Sequence, residues 1–192
     1  MSGTELKQRL AAILAADVAG YSRLMAADER ATVAALDAAR AIFRTRIESN
    51  QGRVIDMAGD SVLAVFEIAT GAVSAALAVQ QELKGSSTDV PDDRRMRFRI
   101  GVHLGEAVIG NVGCSKRTEF TAIGDTVNIA SRLEGVTKTL GCVIVGSREL
   151  IDSAGGKVIT GKHEWVKVKG REQAIEVFEI LGMENEEGEK DA

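Results

Sequence analysis

A single proline and two cysteines in 192 residues exclude two common ways of holding a chain together. Cys114 and Cys142 stand in neither CxxC nor metal-ligand spacing. Neither a disulfide framework nor a cysteine-built zinc site organises the fold, and buried free thiols in a reducing cytoplasm are expected. A long apolar run is also missing. The longest uncharged stretch, residues 68–81, ends in polar residues and falls short of the roughly 20 that span a bilayer. Lys7 and Arg9 ahead of residues 10–16 imitate a signal peptide, but Asp17 follows at once, where a secretory core would not tolerate it. That segment reads as a buried strand, and no membrane insertion is expected. Strong charge of either sign is absent too. The 24 Lys and Arg against 28 Asp and Glu give a net charge of −4, which supplies no basic field for gripping nucleic acid.

What is present is a 45% hydrophobic chain, long enough to bury one core. In "GYSRLMAADERATVAALDAARAIFRTRIESNQG" a short helix precedes a long one, with Val33, Leu36, Phe43 and Ile47 at helical spacing before Asn50-Gln51-Gly52. Two short apolar runs, Val54, Ile55, Met57 and then residues 62–66, read as a hairpin joined by a tight turn at Gly59-Asp60. Ala69, Ala72, Val73, Ala76, Leu77, Gln80 and Leu83 mark a further amphipathic helix. The loop "GSSTDVPDD" holds the proline. Met96, Phe98, Ile100 and Val102 alternate with Arg95, Arg97, Arg99 and Gly101, a strand with a solvated arginine face. "AIGDTVNIASRLEGVTKTLG" reads as a helix with Asp125 as N-cap and Ile129, Leu133, Val136 and Leu140 turned inward. "CVIVG", "EWVKVKG" and "AIEVFEI" supply the remaining strands, and residues 182–192 form an acidic tail expected to be disordered. Helices alternate irregularly with hairpins, so the class is α+β.

Two acids carry a choice. Asp17, where the first strand runs into "VAGYS", and Asp60, in the hairpin turn, are strand-end carboxylates. Mg²⁺ is commonly held by one or two carboxylates together with substrate phosphates. The pair suits a phosphoryl-transfer site, yet two plain strand-end acids give the same pattern.

Five segments together go further. "ILAADVAGYSRL", "GRVIDMAGDSVLAVF", "FRIGVHLGEAVIGNVG", "EFTAIGDTVNIASRLE" and "VKVKG", in that order, resemble the catalytic domain of class III adenylate and guanylate cyclases. The resemblance covers residues 10–181, with residues 1–9 as an N-terminal extension. It implies a ferredoxin-like, palm-type βαββαβ core with an antiparallel-rich sheet and flanking helices. It also implies that Asp17 and Asp60 hold two divalent ions, Mg²⁺ or Mn²⁺, with the Val18 carbonyl as an extra ligand. Asn128 and Arg132 match the pair that positions the ribose and stabilises charge at the α-phosphate. Their i, i+4 spacing shares a helix face, and the arginine fork suits phosphate. Without the resemblance, Arg132 reads as a surface residue paired with an acid such as Glu134. Lys169 matches the lysine on the terminal phosphates; alone it reads as a solvated strand lysine. His103, His163, Trp165 and both cysteines match no family chemistry.

The implied reaction is attack of the ribose 3'-oxygen on the α-phosphorus of a nucleoside triphosphate, giving a 3',5'-cyclic monophosphate and pyrophosphate in the cytoplasm. In this family one protomer supplies the metal pair and the other the remaining groups, so a head-to-tail homodimer with shared sites is expected. One position departs from the pattern. Four residues before Asp60, where adenylate cyclases usually carry lysine, stands Asp56, and its base-reading companion is Thr121. Thr121 donating to guanine O6 with Asp56 accepting from N1–H is one pairing; Thr121 donating to adenine N1 with Asp56 accepting from the N6 amine is the other. ATP stands marginally ahead, because adenylate activity is frequent among bacterial-looking members. The alternatives are a guanylate cyclase reading through Asp56, or a degenerate cyclase-homology module, which Asp56 and Glu106 mildly favour. A diguanylate cyclase is disfavoured by the lack of a GG[DE]EF turn.

Overall fold

The computed structural model describes residues 6–184. Its first half runs β1 (Leu6–Val18), α1 (Tyr21–Ala27), α2 (Glu29–Ser49), β2 (Gly52–Asp56), β3 (Val62–Phe66), α3 (Ala69–Ser86) and β4 (Phe98–Cys114). The second half adds β5 (Arg117–Ile123), α4 (Asp125–Leu140), β6 (Ile144–Ser147), α5 (Arg148–Ser153), β7 (Val158–Val166) and β8 (Ile175–Met183). The strands form one sheet in the order β2-β3-β1-β4-β6-β8-β7, with β5 paired to β4. Among the described residues only β4–β6 is parallel; every other pair is antiparallel. The order β2-β3-β1-β4 with α1, α2 and α3 as connections is the expected ferredoxin-like βαββαβ core.

β1 explains why the sheet has two covered faces. Residues Ala11 to Ala16 are all buried, the mark of a central strand packed on both sides. Ala12, Leu14, Ala16 and Val18 join the core under α1, α2 and α3, whereas Ala11, Ile13 and Ala15 join the core that includes Ala130 of α4. α2 starts where Asp28 accepts from the Ala31 N–H at 3.0 Å, an N-cap. Its inward residues are Thr32, Leu36, Ala39, Phe43 and Ile47, with Phe43 edge-on to Phe98 at 4.8 Å. Val33, expected inward, is 43% exposed.

α4 reaches the opposite face because glycine lets it. A Cβ on Gly101 of β4 would strike the Glu134 N and Ala130 O of α4, and one on Gly105 would lie 2.6 Å from Thr126 Oγ1. His103, between these glycines, is 2% exposed with an unpartnered Nδ1. Desolvation holds its imidazole down at about 4, with Glu149 and Asp125 opposing and Arg171 assisting.

Four expectations are corrected. The β2–β3 connection is a loop over residues 57–61 rather than a two-residue turn, and β2 carries a register shift between Val54 and Asp56. Asp125 is the first residue of α4, and Gly124 holds the cap position without a side-chain cap. β1 begins at Leu6 and pairs with β4 from there, while β8 runs through Gly182 to Met183; the rest of the expected tail, residues 185–192, lies outside the described residues. Cys114 is exposed and Cys142 half-buried, so neither thiol is a core residue, though both are free.

Two outcomes follow from the α4 contact. Gly101→Val is expected to cost about 3 kcal/mol through overpacking against helix backbone, read by denaturant unfolding. For His103, the unfolded chain takes up a proton below about 6.5 and the native chain only near 4. Its contribution is full above pH 6.5 and is lost as pH falls towards 4, on the order of 3 kcal/mol in all. A His103→Gln variant should show a flatter acid limb in melting temperature against pH.

Candidate active site

The end of β1 and the start of β3 meet where Ala16 pairs with Val62. Asp17 lies one residue past that pair and Asp60 two before it, so both acids stand at the same end of the same strand pair. Asp60 is held by a turn in which Ser61 N–H donates to Ala58 O at 3.1 Å. Gly59 takes φ 58° there, a conformation glycine adopts without a Cβ penalty. Arg40 of α2 donates to the Gly59 carbonyl and fixes the loop from outside. Val18, buried, pairs with Phe98 of β4.

Asp17 points to the α4 face. Its Oδ1 is buried with no hydrogen-bond donor, and the neighbour it meets is Glu134. Burial first, then the hydrogen bond and charge of Asp17, push the Glu134 carboxyl up to about 8, against Arg99 and Lys138. Arg99 stands opposite Asp17 on β4. Two ionised carboxylates have no donor between them; a proton on Glu134 supplies one. Glu134 is the functional candidate that sequence reasoning missed, having entered only as a partner for Arg132. The signal was present: Glu134 is i+4 from Ala130, a buried position of α4, so it faces the sheet.

Asn128 and Arg132 lie exposed along one stripe of α4, and their side chains make no hydrogen bond or ion pair among the described residues. Lys169, expected in a strand, is in the loop between β7 and β8 and is equally exposed. Asp56 is exposed at the end of β2, and Thr121 is half-buried on β5 opposite Gly110. Their strands meet where the Arg53 guanidinium lies over the Phe120 ring at 3.5 Å. A cleft of about 440 Å³ lined by Arg148, Trp165 and Arg171 holds none of these residues.

The family known as the adenylate and guanylate cyclase catalytic domain matches residues 6–182. The chain belongs to that family. Among its relatives, adenylate cyclase 1 of Rhizobium meliloti (strain 1021) is 34% identical over 151 residues, which cover 74% of this chain and 23% of that protein. The adenylate cyclase of Anabaena cylindrica is 32% identical over 183 residues, 88% of this chain and 36% of that one. The chain thus spans well under half the length of these curated relatives. The crystal structure of the guanylyl cyclase Cya2 superposes with a TM-score of 0.84 at 22% identity, covering 95% of this chain and 97% of that one. That likeness establishes the cyclase fold.

The residues at the β1–β3 end fit the divalent ions that the cyclase family implies. Asp17 offers an orphaned buried oxygen beside a second acid, an arrangement a cation relieves. Among the described residues no group of three or more His, Cys, Asp or Glu gathers that could hold a metal by itself. Asp17→Asn places an amide donor where two acids meet. Without metal it should raise stability by about 1 kcal/mol, or about 2–4 °C in melting temperature, and Mn²⁺ should no longer shift that temperature.

Proposed function

We propose that this domain is a class III purine nucleotide cyclase that converts a nucleoside triphosphate, ATP ahead of GTP, to the 3',5'-cyclic monophosphate and pyrophosphate. The observation that carries the reading is the half-buried Asp17, whose Oδ1 is buried without a hydrogen-bond partner, at the same strand end as Asp60. In the reaction the ribose 3'-oxygen forms a bond to the α-phosphorus, its proton departs, and the bond to the bridging oxygen of pyrophosphate breaks. Asp17, Asp60 and the Val18 carbonyl would hold two divalent cations, Mg²⁺ or Mn²⁺, which when bound would supply acidity for the 3'-hydroxyl and neutralise phosphate charge.

The chain's own groups do the rest. Arg132 presents a fork of donors to the charge growing on the α-phosphate, and Asn128, one turn earlier, orients the ribose. Lys169 holds the leaving pyrophosphate. Asp56 and Thr121 face the base, and the Arg53–Phe120 contact sets the distance between their strands. Asp56 is exposed, free to accept from either purine, so the guanine pairing is the second reading. The adenylate cyclase names of the sequence relatives support ATP.

Among the described residues, Asn128, Arg132 and Lys169 are exposed and have no polar partners. This supports a head-to-tail homodimer in which each site takes its metal acids from one protomer and the other groups from its partner. No helix among the described residues is long and apolar enough to cross a membrane. Nucleotide substrate and unpaired thiols together support action in the cytoplasm.

Product analysis with ATP or GTP, in Mn²⁺ and in Mg²⁺, is the deciding experiment. Cyclic AMP is expected; cyclic GMP alone makes Asp56 a guanine reader, and no cyclic product under any condition leaves a degenerate module. Asp17→Ala and Arg132→Ala should each be inactive. Mixed in equal amounts they should recover about a quarter of wild-type activity, since half the dimers then hold one intact site of two.

A further inference from the structure

The loop over residues 167–174 is tied down at two points. Val168 is 8% exposed and packs in the cluster with Ile129 and Leu133 of α4. Arg171 N–H donates to the Val168 carbonyl at 3.1 Å, closing a turn whose third residue, Gly170, takes φ 89°. Positive φ at that place is the requirement of a type II turn. Lys169 is its exposed corner. Beyond the turn, Arg171 Nε donates to Asp125 Oδ2 at 2.9 Å.

Asp125 opens α4, where a negative charge also complements the helix dipole. Asn128 and Arg132 follow at i+3 and i+7, so all three share one stripe of the helix. The lysine turn is therefore fastened to the head of the stripe on which the other two phosphate- and ribose-directed groups stand.

We propose that the Asp125–Arg171 ion pair is a positioning latch that sets Lys169 against Asn128 and Arg132. The inference rests on the roles assigned to those three residues above. Neither latch residue needs to touch the nucleotide. Val168 anchors the entry of the turn in the core; the ion pair anchors its exit. Loss of the pair leaves the lysine charge in place but lets the corner that carries it wander, so binding of the terminal phosphates weakens more than the chemical step.

The test is the KM for the nucleoside triphosphate, together with calorimetric titration of pyrophosphate in the presence of Mg²⁺, on the full chain. Asp125→Asn and Arg171→Gln are each expected to raise KM and the pyrophosphate Kd about three- to five-fold, as fits an exposed ion pair, with kcat changed less than two-fold. The double variant should be no worse than the weaker single, because a latch opened at one end has nothing left to lose at the other. Arg171→Lys, which keeps the charge, should recover much of the loss. Additive effects of the two singles, an unchanged pyrophosphate Kd, or wild-type protein that does not bind pyrophosphate would overturn the latch. A chain that makes no cyclic product but binds pyrophosphate in this latch-dependent way would defeat the cyclase reading and leave the latch standing.

Discussion

Helix α4 lies directly on strand β4 with no side chain between them at Gly101, and this contact governs much of what surrounds it. The Glu134 N and Ala130 O of the helix occupy the space a Cβ would need. Such an approach removes the usual freedom of a helix to roll or slide on a sheet, because backbone atoms cannot change rotamer. Once α4 is seated, Thr126 Oγ1 donates to Glu106 O at 2.5 Å, and Glu134 meets Asp17. The outer stripe of Asn128 and Arg132 is turned to solvent by the same seating. One missing side chain thus orients both faces of the helix.

The elements with strong periodicity are legible in the sequence alone. α2, α3 and α4 follow their apolar spacing, and the continuous apolar run of β1 announces a strand covered on both sides. Places where tertiary contact outweighs local pattern are not. Lys169 sits in a run, "VKVKG", that alternates like a strand, but burial of Val168 against α4 turns it into a loop. Asp125 has the chemistry of an N-cap, yet Gly124 takes that place and leaves its carboxylate for Arg171. The hairpin signal at Gly59-Asp60 is real, but the bulge at Asp56 and the grip of Arg40 lengthen the connection into a loop. For the site, the polar residues follow from resemblance to a family, while Glu134 does not, because an acid beside an arginine reads most simply as its partner.

Asp17 and Glu134 also mark a conflict between folding and use. Two acids pressed together under a helix, which must share a proton to meet and leave the Asp17 Oδ1 without a partner, are unfavourable for the isolated chain. Such local disagreement with an otherwise consistent sequence is expected where a site has work to do. Elsewhere the protein is conventional: alanine-rich packing of α3 on the sheet, an Asp cap on α2, and ion pairs confined to the surface.

The parallel pair β4–β6 divides the chain order of the fold in two. β1 to β4 complete the ferredoxin-like unit using residues 6–114 alone, whereas α4 is the crossover that parallel pairing demands and comes later in the chain. The first unit leaves the ribosome ahead of the crossover. The face carrying Asp17, Ala15 and Ile13 is therefore bare at birth, and the nascent chain carries an open apolar sheet surface until its own helix arrives to cover it.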